Sequence, residues 1–134
     1  MPIISVTRLR VRSWRFLASF MLYALTSSRQ AKKTAGNLGV GLLNDAGLTF
    51  WTRTAWKDEA AMRSFMLSGV HRNAMPKLLE WCNEAALVHW TQEDSVLPDW
   101  KEAHRRLVVE GRRSKVNHPS PAHENYTIAV PRSR

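Results

Sequence analysis

The chain has 134 residues, with 20 lysines and arginines against 11 acids, a net charge of +9 with histidine neutral, and a single cysteine. That length gives one domain with a core of its own and excludes a second of similar size. The lone Cys82 excludes an internal disulfide and suits a reducing, cytoplasmic setting. The positive surplus admits an anionic partner, but the arginines are spread over several elements and form no basic helix, so nucleic acid is the weakest of the partner readings.

Ile3 to Arg12 alternates, with Ser5, Thr7, Leu9 and Val11 on one side and Ile4, Val6, Arg8, Arg10 and Arg12 on the other. This period of two predicts a half-buried strand with a solvated arginine face. Ser13 is placed to cap a helix in which Trp14, Leu17, Met21 and Leu25 recur at helical spacing and Arg29 to Lys33 complement the carbonyl end. Phe16, Phe20 and Tyr23 lie off that stripe, so a second contact surface is implied. The run Phe16 to Leu25 is well short of the roughly 20 residues that cross a bilayer. It follows four arginines in the order of a secretory signal, but no small-residue cleavage site comes after it, so no membrane span is expected.

Gly36, Gly39 and Gly41 lack the spacing of a phosphate-binding loop. They fit a strand with one nearly bare face, open to close approach by a ring or a backbone. Asn44 to Gly47 supplies a turn, and Leu48 to Trp56 is rich in aromatic and β-branched residues, which predicts a hairpin. Asp58 caps the next helix. At about 100° per residue, Met62, Phe65, Met66 and Gly69 share one side, while Met75, Leu78 and Cys82 lie opposite. One straight helix cannot bury both sets, so two helices bent at Gly69 are predicted, with His71 in line with Met75, Leu78 and Cys82 and facing inward. Ala86 to Gln92 is the last strand, and Pro98 to Glu110 a short helix stopped by Gly111. Residues 1–111 therefore form the folded unit, and 112–134 a tail with little structure of its own.

The order β-α-β-β-α-β with an extra C-terminal helix is that of an α+β, ferredoxin-like protomer, a sheet with helices on one face. Its other, open face predicts a homodimer packed sheet to sheet. The segments Trp51-Thr52-Arg53-Thr54-Ala55-Trp56, Glu59 to Met66, Ser68-Gly69-Val70-His71-Arg72-Asn73-Ala74-Met75 and Glu80-Trp81-Cys82 resemble an uncharacterised bacterial domain family. That family is placed with the antibiotic-biosynthesis-monooxygenase-like dimeric α/β barrels and is similar to spheroidene monooxygenase. The resemblance covers roughly Ile3 to Gln92 and implies two ferredoxin-like protomers forming a barrel.

For function, the resemblance implies a monooxygenase-like protein holding a small apolar or haem-like ligand between sheet and helices. Haem is the cofactor it brings forward. His71 matches the placement of the axial histidine in the haem-handling relatives, and it is the candidate ligand or proton-transfer residue. The haem-degrading relatives carry an asparagine on the first strand, which is absent here between Ile3 and Arg12. Candidate pocket residues are Trp51, Trp56, Arg53, Gly39, Gly41, Met75 and Trp90. His89, on the strand face opposite Trp90, is a second candidate base if its face agrees with that of Arg53. His104, His118 and His123 lack the spacing of a zinc site. A non-catalytic ligand-binding or interaction module on the same scaffold is the alternative reading, and a basic nucleic-acid binder the third.

Overall fold

Strand β1, Ile3–Val11, lies at the centre of a five-stranded antiparallel sheet because both of its faces carry residues that can be buried. The computed structural model of the chain describes residues 1–132. After a 3-10 turn at Trp14–Phe16 come α1 (Leu17–Lys33), β2 (Asn37–Asp45), β3 (Thr49–Trp56), α2 (Glu59–Met66), α3 (Gly69–Trp81) and β4 (Cys82–Thr91). A further helix α4 (Trp100–Glu110), the two-residue β5 (Arg112–Arg113) and the single turn α5 (Pro121–Glu124) complete the chain. The strand order β2-β3-β1-β4-β5 is that of an α+β, ferredoxin-like sheet with a short added edge.

The caps are those the sequence encodes. Ser13 Oγ accepts from the Arg15 amide, Asp58 Oδ1 from Ala61 and Asp99 Oδ1 from Glu102. The hairpin turns through Gly47 (φ 68°) and Leu48 (φ 61°), with Asp45 Oδ1 accepting from the Ala46 amide. The bend falls at Gly69, φ 60°, and α3 runs unbroken from there to Trp81 with Pro76 inside it. Strand β4 begins at Cys82, four residues earlier than the sequence pattern indicates, directly where α3 ends.

Register divides the sheet into two unlike faces. Across one, Ile4, Val6 and Arg8 pair with Ala55, Arg53 and Trp51 on β3 and with Trp90, Val88 and Ala86 on β4. Helix α4 covers this face with Ala103 and Leu107, both fully buried, joined by Leu97, Trp100, Tyr126 and Ile128. The chain therefore seals the face on which a second copy was expected. Among the described residues, α4 and the tail supply apolar cover on that face themselves. The arginine face predicted to be solvated is likewise largely interior. Arg8 is 5% exposed, bonded to Glu84 Oε1 at 2.7 Å and set over Trp51. The segment after Gly111, expected to have little structure of its own, docks on this core. Its Tyr126 hydroxyl donates to Leu107 O at 2.5 Å, and its Ser120 hydroxyl donates to Glu84 at 2.9 Å.

Helices α1 to α3 lie over the other face and fill it only at its two ends. At one end Ile3 and Trp56 pack with Ala31, Met62 and Phe65; at the other Val11, Cys82 and Ala85 pack with Phe20. Each fully buried large side chain contributes about 1.5–3 kcal/mol. Helix α1 turns Phe20, Ser27 and Ala31 inward, not the expected stripe of Trp14, Leu17, Met21 and Leu25. Trp14 is 77% and Leu25 50% exposed. The aromatic residues read as lying off the stripe are the ones that seat the helix, because Phe20 packs at a tilt against Phe50 with centroids 4.8 Å apart.

Candidate functional site: a cavity between sheet and helices

Between the two packed ends the floor of the sheet carries small polar side chains. Ser5 lies opposite Thr54 and His89, and Thr7 opposite Thr52 and Leu87. Side chains of that size cannot reach the helices, so the space above them stays open as a cavity of about 840 Å3. Phe20, Tyr23 and Ala24 of α1, Phe65 of α2 and His71 of α3 line its other walls, with Trp56 at one end.

His71 is held there by an arrangement that begins with a glycine. The positive φ of Gly69 sends the chain from α2 back into α3, and a Cβ at that position would press on the Gln30 side chain at 3.1 Å. Gln30 uses that close approach. Its Nε2 donates to Ser68 O at 2.7 Å and Phe65 O at 3.4 Å, and its Oε1 accepts from the His71 amide at 3.0 Å. One side chain of α1 thus fixes the bend and the start of α3. The imidazole packs between Phe65 (centroids 4.7 Å) and Tyr23 (6.4 Å), with Nδ1 3.2 Å from Met66 O.

A carbonyl only accepts, so Nδ1 carries the proton and Nε2 keeps a lone pair. Burial lowers the His71 pKa below its ordinary 6.5, the Met66 hydrogen bond opposing it only in part, so the ring is neutral at pH 7. Burial also pushes the Tyr23 phenol up to about 12, against a bond with Ser27, and pushes the Cys82 thiol to about 12. Tyr23 is therefore a hydrogen-bonding group and Cys82 a packing group, not a nucleophile.

The candidate residues divide between the two faces. Trp56 and His71 line the cavity, and His89 stands on its floor. Trp51 reaches the cavity edge, but its ring lies on the opposite face against Trp100 (6.4 Å) and His104 (6.3 Å), its Nε1 donating to Asp45. Arg53 also lies there, stacked over Trp100 at 4.4 Å and donating to Pro98 O, so it shares no face with His89. Gly41 is bare because Arg53 needs the room, since a Cβ would sit 2.5 Å from Arg53 Nε; Gly39 faces Leu97 at 3.5 Å. Trp90 lies beneath Arg106 at 4.6 Å in the same sealed core. Met75 is 46% exposed, because the inward line of α3 runs through His71, Ala74, Leu78 and Trp81 and not through position 75.

Ser5, Thr7, Thr52, Thr54, Tyr23 and Gln30 belong to the site although the sequence did not single them out. The available signal was the small polar column on one face of β1 and β3. Among the described residues no three His, Cys, Asp or Glu side chains gather as a metal site. For haem, one neutral imidazole whose other nitrogen is tied to a backbone carbonyl is the donor arrangement that orients an iron ligand, and the apolar cavity walls suit a macrocycle. His71 fits that role.

Residues 25–115 match a protein family described as a domain of unknown function (DUF3291). No curated protein matches the chain in sequence. Among solved structures, it is similar to SnoaB, a cofactor-independent oxygenase from Streptomyces nogalater, at 14% identity and a TM-score of 0.59 over 71% of this chain and 96% of that one. It is similar to an antibiotic biosynthesis monooxygenase at 10% identity and a TM-score of 0.61, over 69% of this chain and 99% of that one. Rv0793 from Mycobacterium tuberculosis superposes with 13% identity and a TM-score of 0.62, over 70% and 97%. At these identities the likeness is one of fold, and it is the fold that the sequence resemblance implied.

Proposed function

Since the chain belongs to the DUF3291 family and has the fold of the antibiotic biosynthesis monooxygenases, we propose that it binds a flat apolar molecule bearing an acidic hydroxyl in the cavity between sheet and helices, with His71 accepting the hydroxyl proton. The observation that carries this reading is the His71 ring, neutral, with Nδ1 committed to Met66 O and the Nε2 lone pair without a hydrogen-bond partner among the described residues. A hydroxyaromatic that shares its proton with such a base gains anionic character, and it completes the transfer of that proton to His71 as its electrons pass to oxygen. The aromatic rings of Trp56, Phe65 and Phe20 supply flat apolar walls, and Ser5, Thr7, Thr52 and Thr54 offer hydroxyls to orient polar substituents. SnoaB, similar in fold, is described as an oxygenase that uses no cofactor.

The same lone pair would ligate haem iron, so haem is the other occupant for which this imidazole is suited. Two titrations separate the readings. With naphthohydroquinone as probe, quenching of tryptophan fluorescence and oxygen uptake above the spontaneous rate are expected, and His71→Gln should remove the uptake while leaving the quenching. Quenching without uptake would leave a binding module and discard the oxygenase. With haemin, a Soret shift in the natural chain that vanishes in His71→Ala would replace the proton-acceptor role by iron ligation.

A further inference from the structure

The exposed side of α1 is apolar along two-thirds of its length and basic over the rest. Ala18, Leu22 (65%) and Leu25 (50%) are exposed in line with Trp14 (77%) of the preceding 3-10 turn, and Arg29, Lys32 and Lys33 follow on the same side. The helix contains no acidic residue, and none of these three cations forms an ion pair among the described residues. Some arginines elsewhere are paired, as are Arg8 and Arg10 with Glu84, Arg12 with Glu80 and Arg106 with Glu102 and Glu110. Arg29, Lys32 and Lys33 therefore place three unpaired positive charges beside the apolar stripe. The cavity mouth opens next to it, rimmed by the exposed apolar side chains of Leu25, Leu42, Met66 and Leu67.

An apolar stripe with an exposed tryptophan, flanked by cations and free of acids, is the pattern of a helix that lies in the interface of an anionic bilayer. A second copy related by a twofold axis would set the two basic ends together if the helices were parallel, or each beside the exposed Arg15 of the other if antiparallel, whereas anionic headgroups complement these cations. We propose that the outer face of α1 docks on an anionic lipid surface, with the cavity mouth turned toward it. Resting on the cavity reading above, this makes the ligand a lipid-dissolved molecule that enters from the bilayer without crossing water.

The test is sedimentation of the full chain with vesicles of phosphatidylcholine alone and of phosphatidylcholine mixed with phosphatidylglycerol. Binding is expected only to the mixed vesicles, weakening at least about tenfold in Leu22→Glu and in the double variant Lys32→Glu, Lys33→Glu. Circular dichroism checks that each variant is folded, and Ala18→Glu replaces Leu22→Glu if that chain is not. His71→Ala should sediment as the natural chain does, so docking is read separately from ligand binding. Absence of binding to mixed vesicles, or equal binding by folded Leu22→Glu, would overturn the proposal. So would a dimer in sedimentation velocity that Leu22→Glu converts to monomers, because the stripe would then be an interface between copies.

Discussion

The two faces of the sheet share the same strands and differ in what their helices do. Beneath α4, Ile4, Val6, Trp51 and Ala55 are all sealed, and even the charged Arg8 and Glu84 are enclosed as a pair. Beneath α1 to α3, large side chains close the ends while serines and threonines hold the middle, and a cavity remains. The first face is where stability is concentrated, and the second is where a ligand has room. Substitutions on the two faces should therefore have unlike consequences.

The largest effect belongs to the enclosed pair. Glu84→Ala leaves Arg8 buried with Nε already lacking a partner, and it should cost about 3–5 kcal/mol in urea unfolding. Loss of less than about 1 kcal/mol would show that the face is not dry. The same carboxylate sets an acid limb. Burial raises the Glu84 pKa, but the hydrogen bonds of Arg8 and Ser120 and the charges of Arg8 and Arg10 outweigh it and hold the carboxyl below its ordinary 4.5. Its contribution is thus complete above pH 4.5 and lost as pH falls through the lower folded value. A stability profile flat from pH 5 to the acid transition of the Glu84→Gln variant would contradict this.

Packing gives the next contrast. Ala103→Leu, on α4 with no exposure, overfills the closed face and should cost about 1–3 kcal/mol. Thr7→Leu on the cavity floor puts its added volume into open space, and should change stability by less than about 1 kcal/mol while abolishing quenching by naphthohydroquinone. Equal losses of stability would mean that the cavity does not exist in solution.

Much of this asymmetry could be read from residues in order. The alternation of Ile3 to Arg12, the aromatic run ending at Trp56, the turn at Gly47, the bend at Gly69 and the stop at Gly111 all appear where chemistry predicts. These are local signals, set by backbone sterics or by caps within a few residues. What the sequence did not convey was which partner each face meets. Trp51 and Arg53 alternate away from Trp56 and Thr54, so their separation was legible, but the identity of the covering helix was not, because α4 follows the β-α-β-β-α-β unit. The phase of α1 was misread for a related reason. Both of its sides are apolar, and only the position of the sheet decides that Phe20 turns in and Leu22 out. His71 lines the cavity, but on a line through Ala74 and Leu78 and not through Met75 as expected, and its partner Gln30 lies 41 residues away in sequence, where no local pattern joins them.

The smallest effect on stability, and the sharpest on chemistry, comes from His71. Its folded pKa lies below 6.5, so the unfolded chain takes up the proton first; the contribution of the neutral ring is complete above pH 6.5 and declines as pH falls through the folded value. An NMR titration of the imidazole should give a midpoint below 6.5, and oxygen uptake should persist to that same midpoint. Gln30→Ala removes the acceptor for the His71 amide and the donor to Ser68 O, freeing the bend while every group on the cavity floor stays in place. The midpoint should then rise toward 6.5 as the ring gains access to water, and uptake should fall with it. If the midpoint stays where it is in the natural chain, the imidazole is held by Phe65 and Met66 alone, and Gln30 has no part in positioning the base.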